Sequence, residues 1–235
     1  MNPLHINVPP NRFGRDFVIG DLHGMVSALD EALAARQFIP GRDRLFSVGD
    51  LVDRGPASAA AVELIRNKWF HAVRGNHEDM LLRAVAGDEP RISTLWHANG
   101  GAWGMRGDSA NEAARAAAAL CATLPLAITL HHKSGRRFGI CHAQCPVADW
   151  SEIEHALNDP ELRRETLWAR ERVRRDNPQA VRNIDLTIHG HTVVKAPLRS
   201  ANALFIETGA YLPDGYLSLL CLDDLDRGAA PIARR

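Results

Sequence analysis

Apolar and polar positions recur in one order along the first third of the chain. Phe17-Val18-Ile19 is a short apolar run, followed by the loop Gly20-Asp21-Leu22-His23-Gly24 and a helical spacing with Leu29 and Leu33 on one face. The plan repeats with Leu45-Phe46-Ser47-Val48, a loop over 49–56, and a helix through Ala60, Leu64 and Ile65. It occurs a third time with His71-Ala72-Val73, a loop over 74–78, and a helix carrying Met80, Leu81 and Val85. Three such units in succession predict βαβ crossovers, a largely parallel sheet and an α/β fold class.

The later half reads differently. Residues 126–130, a turn at Lys133-Ser134-Gly135 and residues 138–141 predict a hairpin. Further strands are predicted at 186–188, 204–206 and 216–222, which together imply a second, mixed sheet. Between the halves, residues 113–121 are alanine-rich and helical. Residues 88–108, rich in Gly and Trp, show no clear period and are predicted to form a loop over the site. No long-period repeat or low-complexity stretch is present, so repeat and linker architectures are set aside.

Composition narrows the function classes. At 235 residues the chain is expected to be a single domain, 1–235, with its core over about 16–222 and flexible termini, the arginine-ended 227–235 tail included. Lys+Arg and Asp+Glu both total 28, so no global positive field favours nucleic acid or anionic membrane, and any affinity for phosphate must be local. Residues 1–20 hold no apolar core of a secretory signal. The longest apolar-leaning stretch, 116–130, is broken by Thr123 and Pro125 and falls short of the roughly 20 residues a spanning helix needs. A cytoplasmic monomer is expected. Four cysteines are too few for a disulfide scaffold and are read as reduced. Cys141 and Cys145 flank His142 as a weak zinc signal, against which stands the plainer reading of small apolar residues beside a strand end.

In open α/β sheets, ligands collect outside the carboxyl ends of the strands. Asp21 and His23 follow the first strand, Asp50 the second, Asn76 and His77 the third, His142 the hairpin, and His191 the strand near Ile188. Singly, each has a dull explanation: Gly-Asp after a strand is a common turn, and a lone histidine is usually just hydrogen-bonded. Five strand ends each offering an oxygen or an imidazole are hard to explain as packing. Carboxylate, imidazole and amide oxygen suit Mn²⁺, Fe or Zn²⁺, and this many groups can fill two sites. An aspartate bridging two ions is an arrangement used for phosphate ester displacement.

Gly20-Asp21-Leu22-His23-Gly24, Gly49-Asp50-Leu51-Val52-Asp53-Arg54-Gly55, Gly75-Asn76-His77-Glu78 and Gly190-His191-Thr192 resemble, in this order, the signature motifs of the phosphoprotein phosphatase family of calcineurin-like metallophosphoesterases. The resemblance covers roughly residues 16–212. Asn99-Gly100-Gly101 with Trp103, and Trp168-Ala169-Arg170-Glu171-Arg172, look like its short bacteriophage lambda branch. It implies the metallophosphoesterase fold: two mixed β-sheets flanked by helices, with a dinuclear metal site at the strand C-terminal ends. Asp21, His23 and Asp50 would hold one divalent ion and Asp50, Asn76, His142 and His191 the other, with Asp50 bridging. Mn²⁺ is the expected metal, and the ligand set also tolerates Fe, Zn²⁺, Ni²⁺ and Co²⁺. A hydroxide shared by the ions would attack phosphorus directly, while His77 protonates the departing oxygen and Asp53 pairs with His77.

Arg54 and Arg170 are the expected phosphate clamps, with Asn76 beside them, because a guanidinium offers a planar fork to two phosphoryl oxygens. Arg172 is the substitute for Arg170, and Arg74 is expected only to salt-bridge beneath the site. His189, two positions before His191, is not excluded by spacing alone. Trp96, Trp103 and Trp150 are candidates for the cleft mouth or for core and lid packing. The implied substrates are phosphoserine and phosphothreonine in proteins or peptides, with some phosphotyrosine. Glu78 and Thr192 look like the protein phosphatase branch. Arg54-Gly55-Pro56 looks like the symmetrical dinucleoside tetraphosphate hydrolases, the competing reading. A metal-binding regulator without turnover is the reading from another class.

Overall fold

The structure, a computed structural model, describes residues 2–87, 90–107, 109–174, 178–227 and 233–234. In chain order, β1 (His5–Val8) precedes the first repeated unit, β2 (Asp16–Ile19) and α1 (Val26–Ala35). The second unit is β3 (Arg44–Ser47) and α2 (Ser58–Glu63), which tightens into a 3₁₀ turn over Leu64–Arg66. The third is β4 (Phe70–Ala72) and α3 (Asn76–Ala86). The Gly- and Trp-rich stretch expected to be a loop is instead largely ordered: α4 (Pro90–Ala98), a 3₁₀ turn over Gly101–Gly104, and the small hairpin β5 (Met105–Arg106) and β6 (Ser109–Ala110). Tertiary burial supplies what periodicity lacks, since Trp96 of α4 is fully buried among α3 and α5 (Glu112–Cys121) side chains.

The expected hairpin is β7 (Ala127–His131) and β8 (Arg137–Cys141). After it come α6 (Ile153–Ala156), α7 (Pro160–Trp168) and α8 (Glu171–Arg174), then β9 (Leu186–His189), β10 (Leu198–Ser200) and β11 (Ala203–Phe205). The chain continues through β12 (Leu219–Cys221), α9 (Leu222–Asp226) and β13 (Ala233–Arg234). Within the segment expected to be a loose tail, β13 pairs with β10, while residues 228–232 and 235 lie outside the described residues.

Two sheets form. The smaller runs β12-β2-β3-β4, with β2, β3 and β4 parallel and β12 antiparallel on the edge. The larger runs β1-β7-β8-β9-β11-β10-β13 and is mixed. The last predicted strand therefore joins the first sheet rather than the second. Within these two sheets three strands escaped prediction: β1, whose His5 and Asn7 interrupt its apolar pattern, the three-residue β10 and the two-residue β13.

The inner faces pack together: Val18, Phe46 and Val48 meet Ile128, Phe138, Ile140, Ile188 and Leu204 in one buried cluster. Alternation along β2 sends Phe17 and Ile19 to the opposite face, against Leu29 of α1. Both faces are covered, which is why these strands read as unbroken apolar runs. On the outer face of the larger sheet, Cys141 and Cys145 are buried with Trp150 and Leu167, and neither joins a candidate metal group. Among the described residues, no helix is long and apolar enough to cross a membrane.

Candidate metal centre

The loops after β2, β3 and β9, the end of β8 and the start of α3 converge at one place. Among the described residues two groups could hold a cation, His23 with Asp50 and His77, and Asp50 with His142 and His191. They share Asp50, whose Oδ2 lies 3.3 Å from His142 Nε2, 3.8 Å from His23 Nε2 and 3.9 Å from His77 Nε2. Asn76 Oδ1 adds an amide oxygen, 2.9 Å from His142 Nε2 and 2.8 Å from His191 Nδ1. Asp21 joins the cluster through its carboxylate, which accepts the His191 backbone N–H at 2.9 and 3.2 Å.

The backbone is bent to make this possible. Among the described residues, eight non-glycine residues have positive φ, and five are His23, Asp50, Asp53, Arg54 and His191. Such conformations cost of order 1–3 kcal/mol each and persist where surrounding structure over-determines them. Glu78 is part of that structure. Fully buried, it accepts backbone N–H groups from Asp50 (2.9 Å) and Gly75 (2.8 Å) on one oxygen and from Leu51 (2.7 Å) and Val52 (3.3 Å) on the other. Glu207 does the same elsewhere, accepting from Asp21 N (3.0 Å) and Gly209 N (2.7 Å). Burial pushes both carboxyls up to about 7. Two glycines make room: a Cβ at Gly75 would overlap Asp50 Oδ1, and one at Gly190 would overlap Asp21 Oδ1.

Each of three histidines gives one ring nitrogen to a backbone carbonyl: His23 Nδ1 to Val52 (2.8 Å), His142 Nδ1 to Val48 (2.8 Å) and His191 Nε2 to Trp168 (3.2 Å). A carbonyl only accepts, so the proton sits on that nitrogen and the lone pair on the other faces the cluster. Burial holds His23 and His191 down to about 3. Burial also works against ionisation of Asp50, but His142, His77 and His23 outweigh it and hold that carboxyl well below its ordinary value. Asp21 is pushed well up by burial, then by Glu207 and Asp50. Lone pairs of two carboxylates, an amide and three imidazoles thus converge in a desolvated space. This hard and borderline donor set, with no thiolate, fits a pair of divalent cations.

His77 is held differently. Its Nδ1 lies 2.7 Å from Asp53 Oδ2, and the same carboxylate accepts the indole N–H of Trp96 (3.0 and 3.1 Å) and of Trp103 (2.7 Å). The Asp53 backbone N–H donates to Ser58 Oγ at 2.9 Å. Arg54 Nη1 donates to His23 Nε2 (2.8 Å), and its guanidinium lies 4.5 Å from the Tyr211 ring centroid. Arg170 Nη1 reaches the His191 carbonyl (3.3 Å) and Thr192 Oγ1 (3.4 Å) and lies within electrostatic reach of Arg54, Asp21 and Asp50. Arg172 instead donates to the Gln179 carbonyl.

All ten residues singled out by sequence therefore lie around one centre, and the other candidates lie elsewhere. His189 bonds the Cys141 carbonyl and Thr187 Oγ1 and packs on Phe205, outside both groups. Trp150 lies in the core, donating to Thr129. Among the described residues Arg74 makes no salt bridge; its Nη2 donates to the Ala122 and Leu124 carbonyls. Sequence reasoning missed Glu207, Tyr211 and the anchoring uses of Glu78, Trp96 and Trp103. Glu78 had a signal: at the third position of α3 it reaches back to the N-cap N–H, as a capping-box residue does.

Comparison with known proteins gives three findings. Residues 17–195 match the calcineurin-like phosphoesterase family. The chain is 38% identical over 196 residues to serine/threonine-protein phosphatase 1 of Salmonella typhimurium, covering 83% of this chain and 86% of that one. It is 42% identical over 73 residues to the symmetrical bis(5'-nucleosyl)-tetraphosphatase of Dechloromonas aromatica, covering 30% of this chain and 26% of that one. In structure it resembles a Saccharomyces cerevisiae protein serine/threonine phosphatase with TM-score 0.57 at 15% identity, over 89% of this chain and 73% of that one, a likeness of fold.

Proposed function

The chain belongs to the calcineurin-like phosphoesterase family, and from that membership we propose that it is a metal-dependent protein serine/threonine phosphatase. The observation that carries this reading is Asp50, one carboxylate shared between two ligand groups with the Asp53-held His77 on its flank. Asp21, His23 and Asp50 hold one ion in this reading, and Asp50, Asn76, His142 and His191 the other, with Mn²⁺ the proposed metal. When bound, the ions polarise the phosphoryl oxygens and lower the pKa of water from about 15.7 toward neutrality so that it can attack in line.

The chain's own residues do the rest. Arg54 and Arg170 grip the phosphoryl oxygens, with the Arg54 guanidinium lying over the Tyr211 ring. His77 gives a proton to the departing serine or threonine oxygen from Nε2, because Asp53 occupies Nδ1. Three charge-assisted hydrogen bonds to the Asp53 carboxylate fix that geometry.

Sequence likeness to protein phosphatases over most of the chain supports the phosphoprotein substrate, whereas the sequence match to the tetraphosphatases covers 30% of it; in fold alone, a putative diadenosine tetraphosphatase is similar over 93% of this chain with TM-score 0.59 at 21% identity. The second reading, symmetrical cleavage of dinucleoside tetraphosphates, has that shorter match and Arg54-Gly55-Pro56 in its favour. Initial rates on metal-stripped protein with Mn²⁺ restored, comparing a phosphothreonine peptide with diadenosine tetraphosphate, decide between them. Faster phosphate release from the peptide is expected; faster cleavage of the dinucleotide moves the function to nucleotide hydrolysis and leaves the ligand set in place.

A further inference from the structure

A groove of ≈ 760 Å³ is walled by residues of α3, α4 and α7. Among the described residues its charged lining is unbalanced: Arg74, Arg83, Arg163 and Arg164 stand with Asp79 and Glu161. Glu161 is engaged by Arg164 at 3.4 Å, and Asp79 lies 3.9 Å from Arg83. Arg74 and Arg163 stand apart from these pairs. Arg74 Nη2 donates to the carbonyls of Ala122 (3.5 Å) and Leu124 (3.4 Å), and Arg163 Nη2 to that of Asn158 (3.1 Å). Among the described residues no carboxylate lies within 4.0 Å of either, and the Nε of each is buried without an acceptor. A backbone carbonyl fixes a guanidinium in place without neutralising it, so two anchored positive charges are left beside the groove. Asp79 senses Arg74, Arg83 and Arg163 together, which places all three around one carboxyl.

Two lining residues tie the groove to the metal centre. Trp168 lines it, and the Trp168 carbonyl accepts the His191 ring N–H. Arg74 stands immediately before Gly75-Asn76-His77. The remaining lining is apolar, with Leu95, Leu126 and Leu167, as suits a polypeptide better than a free anion. The chain carries no net charge, so this excess is a local feature and not one face of a general basic field.

We infer that this groove receives acidic side chains flanking the phosphorylated residue of a protein substrate, an inference that rests on the phosphoprotein reading above. The enzyme therefore selects among phosphoproteins by local acidity. Opposed charges of this kind act mainly on encounter and affinity and are screened by salt.

The test is a set of phosphothreonine peptides with one common core and glutamate, glutamine or lysine flanks on either side, assayed on Mn²⁺-loaded enzyme with p-nitrophenyl phosphate as the small substrate. Glutamate flanks should raise kcat/KM about tenfold over glutamine at low salt, chiefly through KM, with lysine flanks below both. The preference should shrink to about threefold or less at high salt and in R163Q, survive in R163K, and leave p-nitrophenyl phosphate hydrolysis unchanged in both variants. Equal rates for glutamate and glutamine flanks, or a preference undiminished in R163Q, would overturn this inference alone. Refusal of every peptide by enzyme that hydrolyses p-nitrophenyl phosphate and diadenosine tetraphosphate would remove the phosphoprotein reading and this inference with it.

Discussion

At Asp53 an imidazole and two indoles converge on one carboxylate, and the histidine so held stands beside Asp50. His77→Asn should lower kcat by about 10²–10⁴-fold while both metals stay bound, as measured by metal analysis of the purified variant. Loss of one metal per chain would make His77 a ligand instead. The candidate ligand residues were legible because each follows a strand end, all but His142 within a short motif. Trp96 and Glu207 were not: they reach Asp53 and Asp21 across 43 and 186 positions, and nothing local in the chain announces such a meeting. Away from the site, His71 stacks on Phe46 and is held down to about 4 by burial and then by Arg44. Folded protein thus binds fewer protons than unfolded between pH 6.5 and about 4. This contribution is full above the unfolded value and is lost as pH falls through the window. Wild type should lose about 2 kcal/mol more than His71→Gln between roughly pH 7 and 5, read from urea midpoints at each pH.

Among elements, the strands that carry the site were the easiest to read. β2 and β3 are covered on both faces, so their burial is written as uninterrupted apolar residues. α4 was read as a loop because glycine and tryptophan composition hid a helix that is ordered by packing Trp96 between α3 and α5. The last strand was seen but placed in the wrong sheet, since local pattern says nothing about which edge a strand joins. Phe46, fully buried between the sheets, ties β3 to the facing sheet. Phe46→Ala should cost about 3–5 kcal/mol of stability, measured by denaturant unfolding. A cost under about 1 kcal/mol would mean that the inter-sheet core does not hold β3 in place.

For the molecule as a whole, the site is the seam between its halves. Asp21 and Asp50 come from loops of the smaller sheet, while His142 and His191 follow strands of the larger. Asp21, Asp50, Glu78 and Glu207 are all buried around it, and burial first, then the neighbouring carboxylates, raises Asp21, Glu78 and Glu207. Divalent cations held there would relieve that crowding and link the sheets. Mn²⁺ in about 100-fold excess over its dissociation constant should add about 2.7 kcal/mol per site, raising Tm by roughly 5–10 °C over chelated protein in thermal melts. An unchanged Tm would mean that the seam is held by protein contacts alone.

The junction of Trp96 and Trp103 on Asp53 has an optical consequence. Two of the chain's five indoles are hydrogen-bonded to the carboxylate that holds His77, so the ground state of each chromophore senses the charge at the site. The protein carries its own fluorescent reporter. Loading of the ions and occupation by phosphate should register as changes in intrinsic emission, with no label attached.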